Sequence, residues 1–597
     1  MTTTRGKLAA LRRLMREHQL SAYLVPMVDA HLNEYVPACW RRLAWLSGFT
    51  GSAGDLLILP RQAILWTDGR YFLQAEQELE GSGIELFRKD EPGVLDVEPY
   101  LRSIMKKDAK VGVDPRVLSI ASAKLLRKNL ESVGASLVYT ERNLVDTLWT
   151  DAPEMPTAPI EVLSREQSGA STRTKLEALR TSMKQENADA LVITTLDAIA
   201  WTFNVRGNDV LYNPVVIAYA IVTEDDAKLF LDLAKVGKEQ QRRLSRDVTL
   251  CSYDSVRTEL SALAKRKARV WVDEHTTNQW VTKNLGRCDL VTTKSPILER
   301  KAKKNTVEIE GIRRAHVRDG VAMVRFLRWL SVEAPKGHVT ELSAESRLEE
   351  LRSVGEHYRG PSFRTISAFG PHGAITHYAA TEQSNVKLGS GVFLIDTGSQ
   401  YTDGTTDITR TILIGAKATD QQRRLFTLVL KGHIALAQTR FPQGVRGMRL
   451  DTIARTHLWS DGLDYGHGTG HGVGAFLSVH EGPQAISPVR CKGAFIEAGN
   501  VVSIEPGCYI PGKFGIRIEN LNVVVKDDKR TTKAKTWLGF ETLTLCPIDR
   551  SLIDDSLLTP SERQWLNDYH QHVENTLGPL VDDPQDRDWL TKACVPV

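Results

Sequence analysis

The stretch Gly391–Gly415, GVFLIDTGSQYTDGTTDITRTILIG, decides how the rest of the chain is read. An apolar run from Val392 to Ile395 ends in Asp396, a Gly/Ser/Tyr/Asp-Gly segment turns, and a β-branched run (Thr405, Thr406, Ile408, Thr409, Thr411, Ile412) carries Asp407. Strand, turn and strand therefore present two aspartates. Ionised carboxylates at the edge of a buried sheet are costly unless a cation or donor balances them. Taken alone, the stretch fits either two turn-capping aspartates or part of a cation site. Register separates the geometries. With Asp403-Gly404 as a two-residue loop, Thr402 faces Thr405 and Asp407 faces Gln400. A shared site predicts instead a longer loop centred nearer Tyr401 and Thr402, or a bulge, with Asp396 beside Asp407 and Asp403 left to structure.

Downstream, YGHGTGHGVGAFLSVHEGP holds His467, His471 and His480 among glycines, which let the backbone come close to a site. VVSIEPG brings Glu505 and FGIRIEN brings Glu519. On one continuous strand Arg517 and Glu519 share a face while Ile516 and Ile518 take the other, so Arg517 is expected to support Glu519. The order Asp, Asp, His, Glu, Glu suits two divalent ions with oxygen and nitrogen ligands. No cysteine is among them, so manganese, cobalt and zinc are all admissible. Four carboxylates balance two dications. Two ions roughly 3.5 to 4 Å apart share a water, lower its pKa and polarise a carbonyl, the arrangement for amide hydrolysis. Histidines outside the ligand set serve as donors or proton carriers.

The remainder of the chain bounds this reading. A formal charge of +4 over 597 residues argues against nucleic acid as a partner, and the basic run Arg300 to Lys304 reads as a solvated linker. Seven cysteines (Cys39, Cys251, Cys288, Cys491, Cys508, Cys546, Cys594) lack CxxC spacing, which fits a reducing compartment such as the cytoplasm. No apolar run approaches the roughly 18 residues of a membrane span, and TKACVPV is no lipid-anchor tail.

The N-terminus is basic and amphipathic like a presequence, but an internal repeat gives it another role. Lys7 to Met15 (KLAALRRLM) matches Lys175 to Met183 (KLEALRTSM); at the same offset Ala22 matches Ala190, Val25 matches Ile193, and Asp29-Ala30 matches Asp197-Ala198. Each copy predicts a helix, a short apolar strand and an Asp-Ala turn, then reaches a tryptophan, Trp45 or Trp201. The first helix is thus a domain helix. In WTDGRY, Asp68 and Arg70 are read as a salt bridge or turn cap. The fold class is α/β (α+β), with domains at 1–155, 156–304 and 305–597, the last including an extension from about 550. The third opens with a long amphipathic helix, on which His316 is structural, and Thr340 caps the next.

LIDTGSQYTDGTTDITRT, THYAA, YGHGTGHGVGAFLSVHEGP, SIEPG and GIRIEN, with WTDGRYFLQA and the doubled module, resemble the pita-bread metallopeptidases, and among them the three-domain cytosolic aminopeptidases P (Xaa-Pro aminopeptidases). The resemblance implies two creatinase-N-like domains before a pita-bread catalytic domain. It implies metal ligands Asp396, Asp407, His471, Glu505 and Glu519, with Asp407 and Glu519 bridging two divalent ions, most commonly Mn2+. Glu505 acts as general base towards a bridging hydroxide; His377, His467 and His480 hold the substrate and relay protons; Arg517 stands beside the bridging glutamate. The implied substrates are peptides with an N-terminal Xaa-Pro, in a cytoplasmic homodimer. Two departures bear on specificity: Cys508 follows EPG where an aromatic residue is usual, with an expected sensitivity to thiol reagents, and Pro361 and Arg364 stand where relatives carry other residues. Alternatives in the same fold are a prolidase-like Xaa-Pro dipeptidase, which has one N-terminal module, methionine aminopeptidase, which has neither module, a metal-free creatinase-like hydrolase, and a non-catalytic binding protein that has lost the ligands.

Overall fold

The computed structural model describes residues 3–415, 417–488 and 494–597; Cys491 lies outside them. The chain forms two compact units, Met1–Arg165 with Ala170–Leu298, and Glu166–Gly169 with Glu299–Val597.

The repeat read from the sequence is a repeat of structure. The first unit holds two six-stranded sheets of one topology. In the first, Ala22–Pro26 lies between Asp55–Ile58, antiparallel, and Lys110–Val113, parallel; in the second, Ala190–Ile193 lies between Ala218–Thr223, antiparallel, and Arg269–Trp271, parallel. Side-chain detail repeats as well. The helix Thr4–Glu17 sends Lys7 Nζ to Trp45 O at 2.6 Å and over the Trp45 ring, and the helix Thr172–Gln185 sends Lys175 Nζ to Trp201 O at 2.8 Å and over the Trp201 ring. Leu8, Leu11 and Met15 are buried in the first core, so the N-terminal helix is a packed domain helix. One detail differs between copies. Asp29 caps a loop, accepting from His31 N and Asn33 N, whereas Asp197 stands in the first turn of the helix Leu196–Phe203 rather than in the expected turn. Arg70 pairs with Asp68 at 2.7 Å, the salt bridge expected of WTDGRY.

In the second unit the helix Thr306–Glu333 starts at an Asn305/Glu308 capping box, and Glu341–Ser353 starts at Thr340, whose side chain accepts from Ser343 N. Among the described residues, all strand pairing in this unit is antiparallel. Ile366–Phe369, Gly391–Thr397 and Ile408–Ile414 form one sheet. Another carries Gly470–Gly472, Val501–Ile504 and Asn520–Lys526. A two-stranded ribbon pairs Gly507–Ile510 with Phe514–Arg517. The tail helix Pro560–Leu577 buries Leu566, Tyr569, Val573 and Leu577 within the same unit.

The run Arg300 to Lys304 is not a solvated linker. Arg300 and Lys303 are exposed, but Lys301 and Lys304 are buried, and both ammonium groups clamp the buried carboxylate of Glu481. Lys301 lies in the last turn of the helix Pro296–Ala302 and Lys304 just beyond its end, and a carboxylate from a distant strand makes their burial tolerable.

Candidate metal centre

The Asp396/Asp407 hairpin keeps a single register from base to tip. Asp396 pairs with Thr409 and Thr397 with Ile408; beyond a break in the ladder, Gln400 pairs with Thr405 and Tyr401 with Gly404. No residue is inserted on either strand, so the wider or bulged connection expected from the sequence is absent. The two-residue loop is Thr402-Asp403. Gly404 is not a turn glycine: a Cβ there would stand 2.9 Å from Ile312 Cα and Ala315 Cβ, so it lets the tip lie against the helix Thr306–Glu333. Arg314 and Arg318 on that helix bind Asp403, a structural aspartate as expected. In this register Asp407 faces Gly398, and Asp396 and Asp407 are diagonal neighbours on one face instead of direct partners. The break itself is built in. Ser399 N bonds to Thr406 Oγ1, and Ser362 Oγ bonds to Thr406 O; a Cβ on Gly398 would lie 2.1 Å from Thr406 O.

Asp407, His471 and Glu519 each place a ligand-type atom within 4.8 Å of the others. His471 Nε2 stands 3.4 Å from Asp407 Oδ2 and 3.5 Å from Glu505 Oε1. Its Nδ1 is 3.0 Å from the Gly472 carbonyl, which makes Nδ1 the donor and turns Nε2 at two carboxylates. Asp396 joins through Arg517, whose Nη2 donates to Asp396 Oδ2 at 2.5 Å. Three buried carboxylate oxygens, Asp396 Oδ1, Asp407 Oδ1 and Glu519 Oε1, have no hydrogen-bond partner among the described residues. Burial and then the charges of Asp396 and Glu505 push the Asp407 carboxyl well above the usual range. Burial, then Asp407, Glu505 and Asp396, do the same to Glu519, and burial foremost raises Glu505. Such a cluster of orphaned carboxylate oxygens around an imidazole nitrogen fits divalent cations.

The other histidines surround this cluster. The His480 ring lies edge-on to His471, with centroids 4.5 Å apart. His377 is half-buried in the turn after Gly370–Ala374, next to Thr376, whose carbonyl accepts from Arg517 Nη2 at 3.4 Å. His467 Nε2 is 2.8 Å from the Tyr509 hydroxyl, which accepts from Arg517 Nη1 at 2.6 Å.

Two expectations are corrected here. Arg517 does not bind Glu519; it binds Asp396, Tyr509 and, through Nε, Thr409 Oγ1 at 3.1 Å. The strand Phe514–Arg517 ends before Glu519, which precedes a strand of another sheet, so alternation does not carry across. Thr409 Oγ1 in turn donates to Glu519 Oε2 at 2.9 Å and couples the two indirectly. Cys508 is not displayed as a reactive thiol would be: it is 1% exposed in the apolar core, and burial pushes its pKa to about 11. Alternation along Gly507–Ile510 turns Cys508 to the core and Tyr509 to the site, a signal the sequence contained in that pair. Arg364 bonds to the Ala380 carbonyl, and Pro361 pairs with Ser399 beside the hairpin.

With this geometry in hand, comparison with known proteins is informative. Residues 310–527 match the model of metallopeptidase family M24, 7–148 and 151–308 match creatinase/prolidase N-terminal domains, and 536–597 match the C-terminal region of peptidase M24. The chain is 40% identical to a probable Xaa-Pro aminopeptidase P of Laccaria bicolor, over 100% of this chain and 94% of that protein. It is 41% identical to one from Pyricularia oryzae, over 100% and 99%. The chain belongs to metallopeptidase family M24. Within the family, an X-prolyl aminopeptidase from Caenorhabditis elegans, described as a cytosolic enzyme with a di-nuclear active site, superposes with a TM-score of 0.97 at 37% identity over the whole of both chains. An Xaa-Pro dipeptidase from Bacillus anthracis shares the fold over 64% of this chain and 99% of its own, with a TM-score of 0.51 at 21% identity. The two N-terminal domains ahead of a family M24 domain are the architecture expected from the repeat.

Proposed function

We propose that this M24 metallopeptidase is an Xaa-Pro aminopeptidase, releasing the first residue of peptides with proline in second position. The observation that carries the reading is the buried donor set around Asp407, His471 and Glu519, in a chain that matches Xaa-Pro aminopeptidases from end to end. Asp396, Asp407, His471, Glu505 and Glu519 would hold two divalent ions, with manganese the favoured metal. When bound, the ions supply Lewis acidity and a water that loses its proton near neutral pH.

The chain's own residues do the rest. Glu505, half-buried and steadied by Ser503 Oγ at 3.2 Å, takes the proton from the attacking water. Arg517 fixes Asp396, and the Tyr509 hydroxyl transmits that order to His467. His377 and His480 hold the scissile amide and line the prolyl ring. An Xaa-Pro bond has no amide N–H to grip and a fixed φ, so selectivity rests on the shape of that side and on an anionic anchor for the free amine. The working form is a homodimer in the cytoplasm, with domain limits at 1–155, 156–304 and 305–597.

Chelator-stripped protein is to be reloaded separately with manganese, cobalt or zinc and assayed on an Xaa-Pro-Xaa tripeptide, an Xaa-Pro dipeptide, and matched Gly-Pro-Xaa and Gly-Ala-Xaa peptides. Metal-dependent cleavage of the proline tripeptides supports the reading. Cleavage of the dipeptide alone marks a prolidase, equal rates on Gly-Pro and Gly-Ala remove the selectivity, and no cleavage with any metal marks a binding protein.

A further inference from the structure

Arg410, next along the strand from Thr409, is 1% exposed and forms no ion pair among the described residues. A buried guanidinium without a carboxylate is costly, and this one is balanced entirely by dipoles. Nη1 divides its bonding between Thr409 O at 2.9 Å and Glu519 O at 2.8 Å. Nη2 reaches Asn520 Oδ1 at 2.9 Å, Cys546 O at 2.7 Å and the Tyr569 hydroxyl at 2.9 Å, while Nε donates to Pro547 O at 3.0 Å.

The position of this cage gives it meaning. Ile408–Ile414 and Asn520–Lys526 belong to different sheets, and Asp407 and Glu519 lie immediately before them. No strand ladder joins the two, so their spacing rests on cross-links. One is Thr409 Oγ1 to Glu519 Oε2; another is the Glu519 N to Thr409 O bond at 3.2 Å; Arg410 adds two more, from the forked Nη1 to Glu519 O and from Nη2 to Asn520 Oδ1. The far side of the cage comes from the C-terminal region. Tyr569, on the tail helix, receives Arg410 Nη2 and Cys546 N, and lies within bonding distance of the Thr544 and Cys546 carbonyls. Trp565 stacks on its ring at 5.4 Å with planes 7° apart.

We infer that Arg410 and Tyr569 are positioning residues for the Asp407/Glu519 pair, and that the C-terminal region serves the metal centre by completing the Arg410 cage. The inference rests on the metal-site assignment proposed above. A fork that binds two sheets at one point fixes the separation of the residues preceding them, and that separation decides whether two ions fit. Neither residue touches a reacting atom.

Arg410→Met strips the donors from a set of buried acceptors and is a poor test because the protein can fail to fold. Tyr569→Phe removes one oxygen and keeps the stacked ring. Full-length protein, stripped with chelator, is titrated with Mn2+ by calorimetry, assayed on an Xaa-Pro-Xaa tripeptide, and melted without metal. The expected result for Tyr569→Phe is Mn2+ affinity weakened about tenfold, the size usual when an outer partner of a ligand is lost. A matching fall in kcat is expected with KM held within about twofold. Mn2+ affinity equal to that of the natural protein, whether or not the melting temperature falls, overturns the inference and leaves a purely structural cage. Failure of the natural protein itself to bind Mn2+ overturns the site assignment, a result separate from the variant's.

Discussion

Arg517 Nη2 donates to Asp396 Oδ2 at 2.5 Å, while the other oxygen of the same carboxylate, Oδ1, is buried without a hydrogen-bond partner among the described residues. One side of Asp396 is thus held by the protein and the other is left for a ligand. Arg517→Lys keeps the charge but cannot serve Asp396, Tyr509 and Thr409 Oγ1 together. We expect a fall in kcat/KM of about 10- to 100-fold, the range for partners that orient metal ligands. Steady-state assay with saturating Mn2+ checks it; activity equal to that of the natural protein removes the orienting role.

Asp407→Ala is expected to abolish turnover while the fold persists. Asp407→Asn has a further consequence for the metal-free protein. Removing one charge from a buried carboxylate cluster relieves repulsion, so the melting temperature of the stripped variant equals or exceeds that of the stripped natural protein, although metal no longer stabilises it. Paired thermal melts with and without Mn2+ decide; a variant that melts earlier when stripped and regains stability with metal contradicts the assignment.

The raised carboxyls set the pH dependence of the stripped protein. Asp407 and Glu519 titrate well above their unfolded values, so between those values and the folded ones the native state binds more protons. Their stabilising share is full below about pH 4, the unfolded range, and is lost as pH rises through the folded values. Metal binding needs the deprotonated forms, so Mn2+ affinity rises over the same interval. Denaturant midpoints of stripped protein at mildly acidic and neutral pH, with metal titrations alongside, measure both slopes. A stripped-state stability from this cluster that climbs with pH reverses the sign and refutes the account.

Thiol chemistry follows burial rather than position in a motif. Cys39, Cys251 and Cys288 are partly accessible, whereas Cys508, Cys546 and Cys594 are buried. Brief maleimide labelling under native conditions, read by mass spectrometry, is expected to modify members of the first group and spare the second, with Mn2+-supported activity unchanged. Labelling of Cys508 coincident with inactivation restores the thiol-sensitive reading.

Gly398→Ala places a Cβ 2.1 Å from Thr406 O and 2.3 Å from Ser362 Oγ, inside the break that turns Asp407 towards the site. Backbone cannot yield as a flexible side chain does, so a cost of about 1–3 kcal/mol or more is expected. Loss of Mn2+ affinity should accompany it. A melting temperature and affinity like those of the natural protein show that the break is not needed.

The sequence by itself determined the doubled module and the order of the domains, and it named the candidate donors. These are local properties: helical spacing in KLAALRRLM and KLEALRTSM, capping at Thr340, and carboxylates and histidines set among glycines where backbone approaches closely. Tertiary structure decided what those residues face. It set the Thr402-Asp403 tip, because Gly404 is spent on packing against a helix rather than on turning. It paired Arg517 with Asp396 instead of its near neighbour Glu519, buried Lys301 and Lys304 on Glu481, turned Cys508 inward, and joined Arg410 to Tyr569. The physical reason is the same in each case. A side chain's periodicity tells which face of its own element it takes, but a buried charge or hydroxyl is satisfied by whatever group the other sheet or helix delivers, and those groups come from far along the chain.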